Sequence, residues 1–438
     1  HGDKKVSSPG LIIAIMVIAA FVMILNETIV SIALPELAGT FEVETSTVQW
    51  LVSGFLLTMA VVIPTTGFLL NTFSPRTMFL VAVGAFTAGS LLCAGAPQFG
   101  ALLAGRVVQA SGTAVMIPLV MTTVMQLIPA DARGKMMGTI SIVIGVAPAI
   151  GPTTGGAILG LLGWRWMFGL VFVLAVVLLT IGILRLHVPA TKEPHTLPVG
   201  SVILSAGGFA TLLYGLSTWG QPSAVLPPPV SFAISAVLLT AFVLRQRFLQ
   251  RVSQPLLDLR TLTYPRYRVG LVLSLVVFMA LLGAGAILLP IYLQAVLGYE
   301  PFKAGLALLP GGLTMAAVSR PAGMWYDRAG ARVLVIPGSI GMTAALWGLA
   351  LAGAGAPLGL VIALHMALMG SLGLMMTPIM ADCLGALPDP LHSHGSALLA
   401  TMQQVAGALG SAVFVTVATL MSVMVVEGVP DAQGLRAG

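Results

Sequence analysis

Apolar stretches of about 20 residues recur along the whole chain, separated by short polar connections, and one such stretch is what a single helical crossing of a bilayer requires. They fall near residues 11–34, 48–70, 77–97, 99–128, 136–160, 166–187, 198–218, 228–244, 269–294, 302–322, 333–353, 357–381 and 396–426. Only 8% of the 438 residues are charged, against 58% hydrophobic, and the mean hydropathy is +1.03. A soluble domain carries about a quarter charged residues, so this chain has too few charges to solvate its own surface. The expected fold class is an all-α integral membrane protein, with no sizeable soluble domain.

The net charge of +6 does not point to nucleic acid, because no basic run is interleaved with aromatics on a polar segment and the basic residues lie in short connections between apolar stretches. Their distribution reports orientation. With the amino terminus inside, Lys4, Lys5, Arg76, Arg133, Lys135, Arg185, Lys192, Arg245, Arg247, Arg251, Arg260, Arg266, Arg268, Arg320, Arg328 and Arg332 are cytoplasmic, and only Arg165, Lys303 and Arg436 lie outside. The sequence therefore predicts a multi-pass plasma (inner) membrane protein with a cytoplasmic amino terminus.

An internal repeat organises the spans. Leu34-Pro35 in the first returns as Leu289-Pro290 in the ninth, an offset of 255, and Gly67 to Asn71 after the second returns as Gly323 to Asp327 after the tenth, an offset of 256. Parallel halves related by an axis along the membrane normal are a transporter architecture, with the substrate site between them. The expected division is an N-terminal six-helix half at 1–187, two inserted helices and a connector at 188–268, and a C-terminal half at 269–438. That second half holds five helices, and a sixth is expected beyond residue 438.

Four motifs carry a family resemblance. Gly323-Met324-Trp325-Tyr326-Asp327-Arg328-Ala329-Gly330-Ala331-Arg332 resembles the gating loop of the major facilitator superfamily. The span 5 run containing Gly145, Pro148, Gly151, Pro152, Gly155 and Gly156 resembles the antiporter motif of its drug exporters. Arg106-Val107-Val108-Gln109-Ala110-Ser111-Gly112 is similar to the span 4 motif. Leu25-Asn26-Glu27-Thr28, running on to Leu34-Pro35, resembles span 1 of the fourteen-span drug:proton antiporters, and the whole set is most similar to the lincomycin-exporter group. The resemblance implies the major facilitator fold and proton-coupled efflux of drug-like, apolar or cationic small molecules. It implies a gating loop at Gly323, Asp327, Arg328 and Arg332, with the aspartate pairing to arginine. The first-half copy, reading Asn71-Thr72-Phe73-Ser74-Pro75-Arg76, lacks the Asp, the first Arg and the second Gly.

Glu27 lies within an apolar run, where an ionised carboxylate is expensive and usually marks an ion or proton path. The alternative is a carboxylate near the outer interface acting as a hydrogen-bond partner. The related family more often has Asp one position earlier, where Asn26 stands here, and one residue turns a helix by about 100°. Arg106 is the one basic residue well inside a span; it is expected to tune Glu27 or join a proton relay, or else to tie helices through backbone carbonyls. Asn26, Gln109, Tyr292, Gln294, Gln403 and Gln404 are candidate cavity residues, with His365 and Asp382 secondary to them. Cys93 and Cys383 have no metal-ligand neighbourhood, and no metal or cofactor is expected.

No H-E-x-x-H, G-x-S-x-G or phosphate-binding loop is present, so enzyme chemistry and drive by ATP hydrolysis are not expected. The partners implied are a small-molecule substrate, protons and membrane lipid, with no nucleic acid. Two rivals share the fold: an exporter of a native lipid, metabolite or cell-envelope precursor, and a membrane receptor that does not transport.

Overall fold

In the computed structural model, residues 8–48, 50–186, 197–218, 226–252, 255–293, 297–352 and 356–428 are described. These residues are almost entirely helical and include no strand. That outcome follows from the solvent: in hydrocarbon each backbone amide and carbonyl must bond within its own segment, which a helix alone achieves without a closed barrel.

The long helices are α1 (Pro9–Phe41), α2 (Trp50–Thr72), α3 (Pro75–Ala94), α4 (Phe99–Leu127), α5 (Arg133–Leu162), α6 (Trp164–Arg185), α7 (Val199–Ser217) and α8 (Pro228–Val252). After them come α9 (Pro265–Phe278, running on through Met279–Leu288 to Ile291), α10 (Pro301–Ala329), α11 (Arg332–Leu351), α12 (Leu358–Gly385) and α13 (His392–Gly428). Among the described residues, eleven helices are long and apolar enough to cross a membrane alone, and α5, bent by 47° between Ala130–Pro148 and Thr153–Leu162, makes a twelfth. The one predicted span left over, the tenth, is α10. It is long enough, but Lys303, Arg320 and several Gly and Pro residues dilute its hydropathy. It packs along α5 and α12, while Leu306, Leu313, Met324 and Trp325 on its other side are exposed.

Packing divides the helices into two sets. Helix α1 packs on α4, α5 and α6, α2 on α4, and α3 on α4 and α6; in the second set α12 gathers α9, α10 and α11, and α13 packs on α9. The sets meet along α5 with α10 and along α2 with α13, while α7 lies against α2 and carries α8 on its outer side. Glycine explains how α5 and α10 come so close. Gly134, Gly138 and Gly145 on α5 abut Asp327 and Gly323, Ser319, and Met315 on α10, and a Cβ at any of the three would collide. Small residues of this kind let helix backbones approach in a membrane.

We call the end of the bundle holding Pro9 the near face and the opposite end the far face. One continuous buried core joins both sets in the near half, including Met16, Phe79, Met121 and Met137 with Tyr267, Leu372 and Leu384. Toward the far face the cores are separate. Ile29, Leu37, Leu51, Cys93 and Phe168 cluster within the first set, and Leu289, Leu293, Ala304 and Val361 within the second. The molecule is sealed at its near face and divided at its far face.

The connector after α8 is not a loose basic loop. The Gln246 side-chain carbonyl accepts from the amides of Leu256 (2.9 Å) and Leu257 (3.3 Å), and both leucines are buried. Asp258 caps a short turn at Leu259–Thr263 and forms an ion pair of 2.6 Å with Arg260. Burial opposes ionisation of Asp258, but the hydrogen bonds and charge of Arg260, aided by His394, outweigh it and hold the carboxyl below its ordinary range.

Candidate functional site

A mostly apolar cavity of about 170 Å³ lies between the two sets. Its walls come from α1, α2, α4, α5, α9 and α13, with Met23, Met59, Ile144, Leu281 and Ala400 among them. Methionine supplies an adaptable wall. The polar groups reaching it are few: Glu27 and Thr28 from α1, Thr113 from α4, and Gln403 and Gln404 from α13.

The two adjacent residues of α1 separate cleanly. Glu27 lines the cavity, whereas Asn26 is only 1% exposed and points into the first set. Its amide donates to the Gln109 side-chain oxygen at 3.3 Å. That oxygen also accepts from Arg106 Nη1 at 3.1 Å, and the Gln109 amide donates to Ser90 Oγ at 2.8 Å. Arg106 Nε donates to the Leu51 carbonyl at 3.1 Å, and its guanidinium sits 4.1 Å from the centre of the Phe55 ring. Neither Arg106 nor Gln109 is exposed. Arg106 is close enough to interact with the Glu27 charge, but no ion pair joins them among the described residues. So Asn26, Gln109 and Arg106 form a buried network behind the cavity wall rather than part of its lining.

On the second set, Gln403 donates to Ser274 Oγ at 3.1 Å, and Gln404 makes only a 3.8 Å contact with Met59 Sδ. Both line the cavity. Tyr292 does not; it packs at the far face with Leu289, Leu293 and Ala304. Gln294 lies outside the described residues. Sequence reasoning missed the apolar wall, because a leucine facing a cavity and one facing lipid look alike in sequence. It also missed that Met279–Leu288 of α9 winds as a π-helix, a widened form often found at functional sites.

The expected span 5 motif lies along the cavity and the α1 contact. Pro148 lines the cavity, Gly151 faces Thr28, and Gly155 faces the Ile29 backbone. Gly156 has nothing within 4 Å of where a Cβ would stand, and Pro152 falls at the 47° bend.

At the near face the gating loop makes a contact different from the one expected. Asp327 accepts hydrogen bonds from the amides of Gly134 (2.8 Å) and Lys135 (3.0 Å) at the start of α5, and no arginine partners it among the described ion pairs. Backbone amides replace the arginine because the first turn of a helix has free N–H donors and the positive end of its dipole. Gly330, with φ +80°, turns the chain from α10 into α11; Arg328 ends α10 and Arg332 begins α11. The repeat-related contact is Asn71 Nδ2 to His394 Nε2 at 2.8 Å, from the end of α2 to the start of α13. A third tie, Thr377 to Ser141 at 3.0 Å, joins α12 to α5.

Two interlocking sets of membrane helices around a polar-tipped cavity define a polytopic membrane transporter rather than an enzyme. The chain belongs to the Major Facilitator Superfamily, which it matches over residues 16–411. It is 37% identical over 421 residues to the Lincomycin resistance protein LmrB of Listeria monocytogenes, covering 95% of this chain and 88% of that protein. It is 30% identical to a Multidrug resistance protein B homolog of Mycobacterium tuberculosis, covering 91% and 74% respectively. Among solved structures, the human organic anion transporter MFSD10 superposes with a TM-score of 0.66 at 16% identity, covering 92% of each chain. The proton:xylose symporter XylE superposes with a TM-score of 0.65, also at 16% identity, covering 93% of this chain and 88% of that one.

Proposed function

We propose that this protein is a proton-coupled exporter of drug-like, apolar or cationic compounds. It works by alternating access in the plasma membrane, with the near face in the cytoplasm. In this reading the moving parts are the six-helix half at 1–187 and the half that begins at 269, with the inserted pair at 188–268 flanking them. The observation that carries it is the placement of Glu27, the carboxylate on the wall of a mostly apolar cavity between the two sets. The names of the lincomycin and multidrug resistance relatives support the substrate class.

The chemistry is competition for one carboxylate. Ionised Glu27 attracts a cation into the cavity, and protonation removes that attraction. The described conformation, sealed at the near face and divided at the far face, suits release of drug outward and entry of a proton. Protonated Glu27 no longer carries a charge, so the emptied cavity closes outward and reopens inward. Loss of the proton to the cytoplasm then accompanies the next loading. Arg106 acts as a positioning residue that holds Gln109 and Asn26 behind α1 and biases Glu27 by its charge.

Reconstitution in proteoliposomes with an imposed pH gradient tests this reading, with ethidium and lincomycin as probes. The parent is expected to move at least one of them against its gradient, and Glu27→Gln is expected to abolish the response to pH. Gradient-driven export by Glu27→Gln at the parent rate would refute the proton assignment.

A further inference from the structure

Beside the central cavity lies a second, of about 170 Å³, bounded by α1, α5, α9, α10 and α12. The two share Thr28, Ile144, Pro148, Leu281, Leu282 and Ala286 as lining residues, so they lie side by side along that common wall. Their polar endowments differ. The first holds Glu27; the second holds no carboxylate, but has Ser31 and His365.

His365 is 4% exposed and sits in the half of α12 nearer the far face. The Cδ2–Nε2 edge of its ring lies against Gly311 of α10, where a Cβ would collide with it. The Leu308 carbonyl faces the ring, yet Nδ1 has no hydrogen-bond partner of ordinary geometry among the described residues. A buried polar atom without a partner is costly, and His365 is one of the residues lining the second cavity. Ser31 Oγ and Thr28 Oγ1 donate to backbone carbonyls of their own helix, which leaves their lone pairs free to accept.

We infer that the second cavity is a subsite for the far end of an elongated substrate, with His365 and Ser31 recognising a hydroxyl or amide there while a cationic end lies near Glu27. The inference rests on the export reading and extends it. The substrates selected are amphiphilic cations with a hydrogen-bonding group remote from the charge, not compact cations alone. A hydroxyl fits because it can donate to an acceptor lone pair and accept from an imidazole N–H in the same place.

The test is calorimetric binding to the full chain in nanodiscs, with empty nanodiscs as blank. The probes are dodecyltrimethylammonium and its 12-hydroxy analogue, which share charge and length. The readout is the ratio of the two dissociation constants, hydroxylated over plain. His365→Phe is expected to raise that ratio about tenfold, and His365→Gln to restore most of it. Glu27→Gln is expected to weaken both compounds equally and leave the ratio unchanged. If the phenylalanine variant loses the plain compound as well, His365→Ala decides by the same ratio without added bulk. An unchanged ratio in the variants lacking a hydrogen-bonding group, or equal weakening of both compounds by them, would overturn the subsite while leaving export intact. Failure of the parent to bind either compound would overturn the cationic export reading and the subsite with it.

Discussion

The Asp327 carboxylate, in the last turn of α10, is hydrogen-bonded at 2.8 Å to the amide of Gly134, the second residue of α5. The amide of Lys135 gives the same carboxylate a second bond, so one side chain of the second set caps the first turn of a helix in the first. The internal repeat places Asn71 at the matching position of α2, where it meets His394 of α13. The near face is therefore closed by two related contacts, one charged and one neutral, and the charged one is the stronger.

Asp327→Asn keeps the shape and removes the charge, and hydrogen bonds to charged groups are worth about 1.5–3 kcal/mol each. Under the proposed alternating access these bonds break when the near face opens, so the substitution should shift the conformational balance roughly 10- to 100-fold toward near-face opening. Alkylation of a cysteine placed below the cavity on the near side checks this, with the variant labelling faster. Asn71→Ala should give a smaller shift in the same direction.

Gly138→Leu should block closure by sterics. A Cβ there would stand within 3 Å of the Ser319 carbonyl, and backbone cannot move aside as a side-chain tip can. The expected protein inserts and binds drug but does not transport, and its near face stays open to alkylation. Gly156→Ala, at a position with nothing within 4 Å, should transport normally.

Gln109→Leu should destabilise the first set by about 3 kcal/mol, because Asn26, Arg106 and Ser90 would all lose a buried partner. Thermal unfolding in detergent measures the loss. Gln404→Leu, which gives up only the weak contact with Met59 Sδ, should unfold near the parent temperature.

Asp258→Asn tests the connector. The Asp258 carboxyl is held below its ordinary range in the folded protein, so its contribution is complete above the unfolded value of about 3.9 and is lost as pH falls through the lower folded value. Because Arg260 is largely exposed, the contribution is about 1 kcal/mol. The parent should therefore exceed the variant in stability by that amount at pH 7, and the difference should vanish in strong acid.

Much of the architecture is legible in the sequence because lipid enforces it. Spans of about 20 apolar residues, a repeat offset of 256 and the glycines of α5 each have one physical reading at that level. At the site, Glu27, Gln403 and Gln404 were legible in the sequence, and the apolar wall was not. Glu27 stands out because a carboxylate is costly in hydrocarbon, yet the sequence could not say which of Asn26 and Glu27 faces the cavity. That depends on the rotation of α1, fixed by Gln109 bonding Asn26 and by Gly151 and Gly155 packing against Thr28 and Ile29. The expected arginine partner of Asp327 gave way to the amides of Gly134 and Lys135, which carry no signature in residue type. The π-helical turn in α9 left no mark either, since Met279–Leu288 reads as an ordinary apolar run.

The central claim is that a proton and a cationic substrate compete for Glu27, and proton release on binding measures it most directly. Purified protein in weakly buffered detergent, near neutral pH, is titrated with ethidium while a pH indicator is followed. Binding is confirmed separately from ethidium fluorescence. The account predicts that the parent releases protons as ethidium binds, and that Glu27→Gln at saturating ethidium releases none. Equal release by parent and variant, or binding by the parent with no release between pH 6 and 8, would contradict it.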